Sequence, residues 1–288
     1  MIKQIKSIES DVDIMPILNS ALAVLEDGDT ISFSKGRYHI YSDYCTRKFY
    51  YISNNEGGEK TIAILLENKS NIMVDGNGSE LIFHGNISPI ILDNCKNVTV
   101  KNLTFDYVDT FYLHGDIECV TPQSFHLRLD AGTKYAFKDG HFHLIGAHSE
   151  CAFDMEHLAL AQEFDASKQR PANDCCYHLV KFCNESERES AESIYSLFVI
   201  TELSENLLMI EGAQSDRFTA GNRLVVNAEK RDNSIIFAVD CESLLFESLN
   251  IIHSQSMGII CQTSSNIRLK YVICALMAGR HGLVSANA

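Results

Sequence analysis

The chain has 288 residues, of which 45% are apolar, so it is too long for one small domain and can bury a sizeable core. Its formal net charge of −14 argues against nucleic acid or an anionic membrane as partner, because both repel an acidic surface. No apolar run approaches the roughly 18 residues that cross a bilayer, and the opening MIKQIKSIESDVDIMPIL lacks a signal-peptide core, so the chain as written reads as cytoplasmic, or exported if a leader was removed.

The first predicted element is a helix from Asp13 to Leu25. Ile14, Ile17, Leu18, Ala21, Leu22 and Leu25 are spaced for one apolar face, with Asp13 as cap and Pro16 in the first turn. Glu26-Asp27-Gly28-Asp29 ends it. Strands follow at Thr30–Phe33 and, after Gly36, at Tyr38–Tyr41.

From Ile64 onward the chain repeats itself. ILLENKSNIMVDG from Ile64, IILDNCKNVTVKNLTF from Ile90, IFAVDCESLLFESLNI from Ile236 and IICQTSSNIRLKYVIC from Ile259 each have a short apolar strand, a polar corner and a second strand. Asn71, Asn97 and Asn266 close three of the corners, and Ser243 takes that place in the other. Such steps of about 25 residues suit the rungs of a parallel β-helix, with the Asp13–Leu25 helix covering its open end. Alternate residues such as Val98 and Val100 would point into a narrow core. Asn tolerates the left-handed backbone a sharp corner needs, and stacked corners would form hydrogen-bonded ladders. An ordinary β-sandwich is the competing architecture.

The repeat breaks between Asn97 and Ser243. Alternating stretches there, such as Ser124–Leu129 and Leu207–Ile210, predict an inserted antiparallel β domain of barrel type. Phe153 to Asp174 reads as a long irregular loop. The predicted organisation is residues 1–110 as the first rungs with their cap, 111–231 as the insertion and 232–288 as the continuing solenoid, cut short.

Ten cysteines occur without a CxxC pair, which reads as reduced thiols packed as small core residues. A zinc site at Cys151, Cys175, Cys176 and His178, with His148, is the alternative, although its spacing is not a standard one. No cofactor and no metal are expected. Asn-x-Ser/Thr triplets at Asn68, Asn77, Asn86, Asn97, Asn102 and Asn184 fit turns better than glycan attachment.

Residues 50 to 117 resemble the early rungs of glycoside hydrolase family 110. The resemblance is carried by ISNNE (Ile52 to Glu56), DGNGS (Asp75 to Ser79), FHG (Phe83 to Gly85) and KNLTFDY, and by the terminal GRHGLVSANA. It implies a right-handed parallel β-helix interrupted by β-barrel insertions. It further implies an exo-acting, inverting α-galactosidase acting on terminal α-1,3-linked galactose, so the partner is a galactose-terminated glycan. Inversion needs two carboxyl groups about 6.5–9.5 Å apart. The family's acids lie in later rungs than this chain contains, so no catalytic residue is transferred and the chain is expected to be inactive alone. An exposed last rung leads to the further expectation of a homo-oligomer through that end.

The substrate-binding candidates are Asn54, Asn55 and Glu56, then His253 and Gln255, then Arg280 and Asn287. Arg280 follows Gly279 and is of a type suited to hold sugar hydroxyls or a carboxylate. Asp75, Asp93, Asp106, Asp109 and Asp240 are weaker acid–base candidates, since corner acids are commonly solvated or bound to backbone amides. His84 and Gly85 read as packing residues. The alternative function is a noncatalytic glycan-binding or structural solenoid.

Overall fold

The computed structural model describes residues 1–6, 11–109, 111–167, 170–172, 178–228 and 232–274. The protein is all-β, and its described residues fall into two compact units, 1–109 with 232–274, and 111–228.

The first unit contains two sheets that the chain visits alternately. One runs Ile2–Ile5, Thr30–Phe33, Met73–His84, Lys96–Tyr107, Glu242–Ile251 and Ser265–Lys270, with every neighbour parallel. Arg37–Tyr41 also pairs with Met73–His84. The other runs Ile259–Gln262, Ile236–Val239, Ser88–Asp93 and Gly58–Glu67, all parallel, and ends on the antiparallel strand Thr46–Tyr50. Each sequence repeat supplies one strand to each sheet.

The corners are set by left-handed residues that stack from repeat to repeat. Asn68, Asn94, Asp240 and Thr263 have φ of 53, 51, 53 and 48°, and Asn71, Asn97, Ser243 and Asn266 have 62, 54, 63 and 54°. A short polar side chain adopts this conformation most readily, and here it also bonds its neighbour in the stack. Asn94 Nδ2 donates to Asn68 Oδ1 and Asn97 Nδ2 to Asn71 Oδ1, both at 2.7 Å, and Asn266 Nδ2 donates to Ser243 Oγ at 2.9 Å.

A third left-handed position explains the broken alternation inside the long strands. Val98 and Val100 face inward, Asn102 has φ 57°, and the inward face resumes one residue out of phase at Leu103 and Phe105. Leu244, Phe246, Leu249 and Ile251 lie in register with these four and are equally buried. Complete burial of such side chains contributes about 1.5–3 kcal/mol each. Gly76 is required beside this bend, because a Cβ there would sit 2.4 Å from the Asn102 carbonyl oxygen.

The predicted helix forms over Met15–Ala23 with Pro16 in its first turn. Ile14, not the expected Asp13, is the N-cap residue and makes no side-chain cap; Asp13 lies one residue earlier, where its Oδ1 accepts the Met15 amide at 3.0 Å and the Tyr41 amide at 3.3 Å and ties the helix start to the strand Arg37–Tyr41. Ile14, Met15, Leu18 and Leu25 are buried. Ile17 is 42% exposed and lies off the buried face assigned to it from spacing.

In the second unit, Tyr112–Val120, Ser124–Leu129, Leu207–Gly212, Ser196–Ser204, His178–Phe182, Leu158–Asp165 and Arg223–Ala228 close on themselves as a seven-stranded barrel. All pairs are antiparallel except His178–Phe182 with Ser196–Ser204. Phe125, Leu127, Ala161, Phe198 and Phe218 belong to its core. Part of the segment read as an irregular loop, Phe153 to Asp174, is instead the barrel strand Leu158–Asp165. Its Ala159 and Ala161 belong to the barrel core, and such small residues give a weak alternation signal.

Candidate functional site

Buried polar side chains concentrate where the chain leaves the C-terminal ends of the first sheet's strands and enters the second sheet. Lys60, Ser88, Asn233, Ser234, His253 and Gln255 are each 1–5% exposed. Burying such groups is costly unless they are bonded to one another or held for a ligand.

Most of them are bonded. Ser88 donates to Asn233 Oδ1, and Asn233 Nδ2 donates to Gln255 Oε1 at 2.8 Å and to Asn86 Oδ1. Asn86 Nδ2 reaches Asp232 Oδ2 at 2.9 Å. Lys60 Nζ donates to the carbonyl oxygens of Glu56 and Asp232 at 2.7 and 2.6 Å. Burial lowers the pKa of its ammonium, against the pull of Asp232 and Glu56. Ser256 Oγ donates to Asn55 Oδ1 at 2.5 Å. His253 Nδ1 is hydrogen-bonded to Asp106 Oδ1, which also accepts the Tyr107 amide at 2.9 Å.

Among the described residues, three buried polar atoms here have no partner: His253 Nε2, Asn55 Nδ2 and Ser234 Oγ. They belong to one corner of the fold. Ser256 binds Asn55 and stands three residues from His253, and Ile235, next to Ser234, donates its amide to Met257 O at 3.3 Å.

Of the residues singled out from sequence, Asn55, His253 and Gln255 are therefore brought together. Asn54 and Glu56 are exposed, and Glu56 joins the network through its carbonyl oxygen. Arg280 and Asn287 lie outside the described residues. Asp75 is held by Asn102 Nδ2 at 2.9 Å and Lys101 Nζ at 3.1 Å. Asp93 Oδ2 accepts Lys48 Nζ at 3.0 Å and the Tyr50 hydroxyl at 2.8 Å. Asp240 bonds Thr263 at its corner. Asp109 is 5% exposed. His84 packs on Tyr41 with ring centroids 4.0 Å apart and meets His39 Nδ1 through Nε2 at 2.7 Å.

Cys175 and Cys176 of the zinc alternative lie outside the described residues. His178 packs edge-on against Phe218 at 4.8 Å, and among the described residues no group of three or more potential ligands gathers. Lys60, Asn86, Ser88 and Asn233 were not singled out from sequence. Their signal is weak but present: Lys60 and Ser88 are polar residues at the start of apolar strands.

The fold defines an all-β protein in which alternating parallel sheets accompany a closed barrel. No family model matches the chain. It is 30% identical to α-1,3-galactosidase A of Shewanella woodyi over 264 residues, covering 90% of this chain and 41% of that protein. It is 26% identical to α-1,3-galactosidase B of Bacteroides thetaiotaomicron over 267 residues, 90% of this chain and 40% of that protein. α-1,3-Galactosidase B of Parabacteroides distasonis is 36% identical over 104 residues, 34% of this chain and 17% of that protein. The similarity to proteins named α-1,3-galactosidase extends over 90% of this chain and agrees with the resemblance to glycoside hydrolase family 110 carried by its motifs. The chain spans about two-fifths of the length of the two relatives that it matches most fully.

Proposed function

We propose that this chain is the glycan-holding part of an α-1,3-galactosidase-like protein. In this reading the two parallel sheets are faces of a right-handed parallel β-helix, and the buried polar corner receives the terminal galactose of a glycan. The observation that carries it is that corner: amides, hydroxyls, an imidazole and an ammonium are drawn together in a unit whose buried side chains are mostly apolar. These groups match the donors and acceptors of a sugar ring, and the relatives are named as α-1,3-galactosidases.

Binding without turnover is the form of the function we assign to the described residues. Asp75, Asp93 and Asp240 are engaged at structural corners, and Asp106 is engaged by His253. Calorimetric titration with a terminal α-1,3-galactoside, beside a hydrolysis assay on the same compound, tests this. Saturable binding with no released galactose is expected. Turnover would place the reacting carboxylates within this chain and replace the binding reading with an enzymatic one. No binding would remove the glycan reading altogether.

A further inference from the structure

The polar corner contains more than a satisfied network. Asp106 Oδ1 already accepts the Tyr107 amide, at 2.9 Å, and a carboxylate has no proton to give, so His253 Nδ1 is the donor in their contact. In the neutral ring this leaves Nε2 as a bare acceptor. His253 is 3% exposed and Nε2 is unpartnered. The Asn55 amide is oriented in the same way. Its Oδ1 is taken by the Ser256 hydroxyl at 2.5 Å, which leaves Nδ2 as a buried donor without an acceptor. Ser234, 1% exposed, adds a hydroxyl with no partner.

A buried acceptor and a buried donor left open are unfavourable relative to satisfied groups. Asn55 is held by Ser256, which stands three residues from His253, so two such groups, each oriented by a neighbour, are brought to one corner and match a ligand that offers a donor and an acceptor side by side. A vicinal diol does so: one hydroxyl donates its proton while the oxygen of the next accepts.

We infer that His253 Nε2 and Asn55 Nδ2, with Ser234 Oγ beside them, form the receptor for a vicinal diol of the bound sugar, and that Asp106 is the positioning residue that keeps Nε2 an acceptor. This rests on the glycan reading above and goes further, naming the atoms that read the ligand and the chemical feature they read. Asn55, His253 and Asp106 do not break bonds in this proposal. They select ligands by the adjacency of two hydroxyls.

The test uses the full chain, methyl α-D-galactoside and its deoxy analogues. Imidazole nitrogen NMR on the unmodified protein reads the His253 tautomer directly. The Nδ1-protonated form is expected without ligand, and the Nε2 resonance is expected to move when the galactoside saturates. His253→Phe and Asn55→Ala are each expected to weaken binding about tenfold or more. Asp106→Asn is expected to lose the fixed tautomer and part of the affinity, while the thermal melt shows that the fold survives. One deoxy analogue should lose affinity for the unmodified chain and show no further loss in the variant that removes its reader.

If the galactoside binds and neither the Nε2 resonance nor the affinity of His253→Phe changes, the receptor is wrong and the glycan reading stands. If His253 is found in the Nε2-protonated tautomer, the receptor is likewise overturned. If the unmodified chain binds no galactoside, the glycan reading falls and this inference falls with it.

Discussion

At single residues, burial and local charge set reactivity. Burial pushes the Cys45 thiol up to about 12, with Asp13 and Asp43 adding to it, and raises Cys183 and Cys261 to about 11. The thiolate is the reactive form, so these thiols should resist alkylation in the native protein. Cys95 and Cys241 sit in the corners of successive repeats, 2% and 3% exposed, and the Cys95 amide donates to Cys241 Sγ at 3.3 Å. Iodoacetamide followed by peptide mass spectrometry should mark the exposed Cys119 first and the buried thiols only after unfolding. Asp75 behaves differently. Burial works to raise its pKa, but hydrogen bonds from Asn102 and the Asn77 amide, together with Lys101, bring it below the usual carboxylate range. A carboxyl whose folded pKa is lowered stabilises the fold above its unfolded pKa and loses that contribution as pH falls through the folded value. Asp75→Asn should therefore be less stable than the parent near neutrality. The gap should close on acidification below the ordinary Asp range, as followed by denaturant midpoints against pH.

Corners and strand faces decide the behaviour of whole elements. Asn97 combines φ 54° with a 2.7 Å bond to Asn71. Asn97→Ala should cost about 1–2 kcal/mol, since it keeps the left-handed backbone but loses the residue type that tolerates it. Asn97→Gly should cost less, because glycine accepts that backbone and only the ladder bond is lost. Thermal melts that rank Gly below Ala would contradict this account of the corner. Phe105 is fully buried and stacks on Phe83 with centroids 6.5 Å apart, so Phe105→Ala should cost about 3–5 kcal/mol. These elements were readable in advance because their signals are local. Asn71, Asn97, Ser243 and Asn266 were identified by spacing, and each adopts the left-handed conformation. The strand Leu158–Asp165 was not readable, since Ala159 and Ala161 are its core residues and small side chains carry little alternation signal.

For the molecule as a whole, the barrel is a closed ring with its own core of phenylalanines and aliphatic residues. Ring closure leaves no open edge among its seven strands. Residues 111–228 expressed alone should fold, with β-type circular dichroism and a cooperative melt. A random-coil spectrum would mean that this unit depends on the remainder of the chain.

The candidate site divides in the same way. Asn55, His253 and Gln255 were found through a family resemblance and by their place beside the repeats, yet Lys60, Ser88 and Asn233 went unnoticed, and Glu56 contributes a carbonyl oxygen where a side chain was expected. The sequence by itself determined the repeating strands and their left-handed corners, because periodicity and backbone preference act between near neighbours, and its motifs carried the resemblance to a galactosidase family. Only the tertiary structure decided which polar residues share a corner. Lys60 meets Asp232 across 172 residues of chain and Asn86 meets Asn233 across 147, and such meetings follow from sheet register, which no short stretch of sequence encodes.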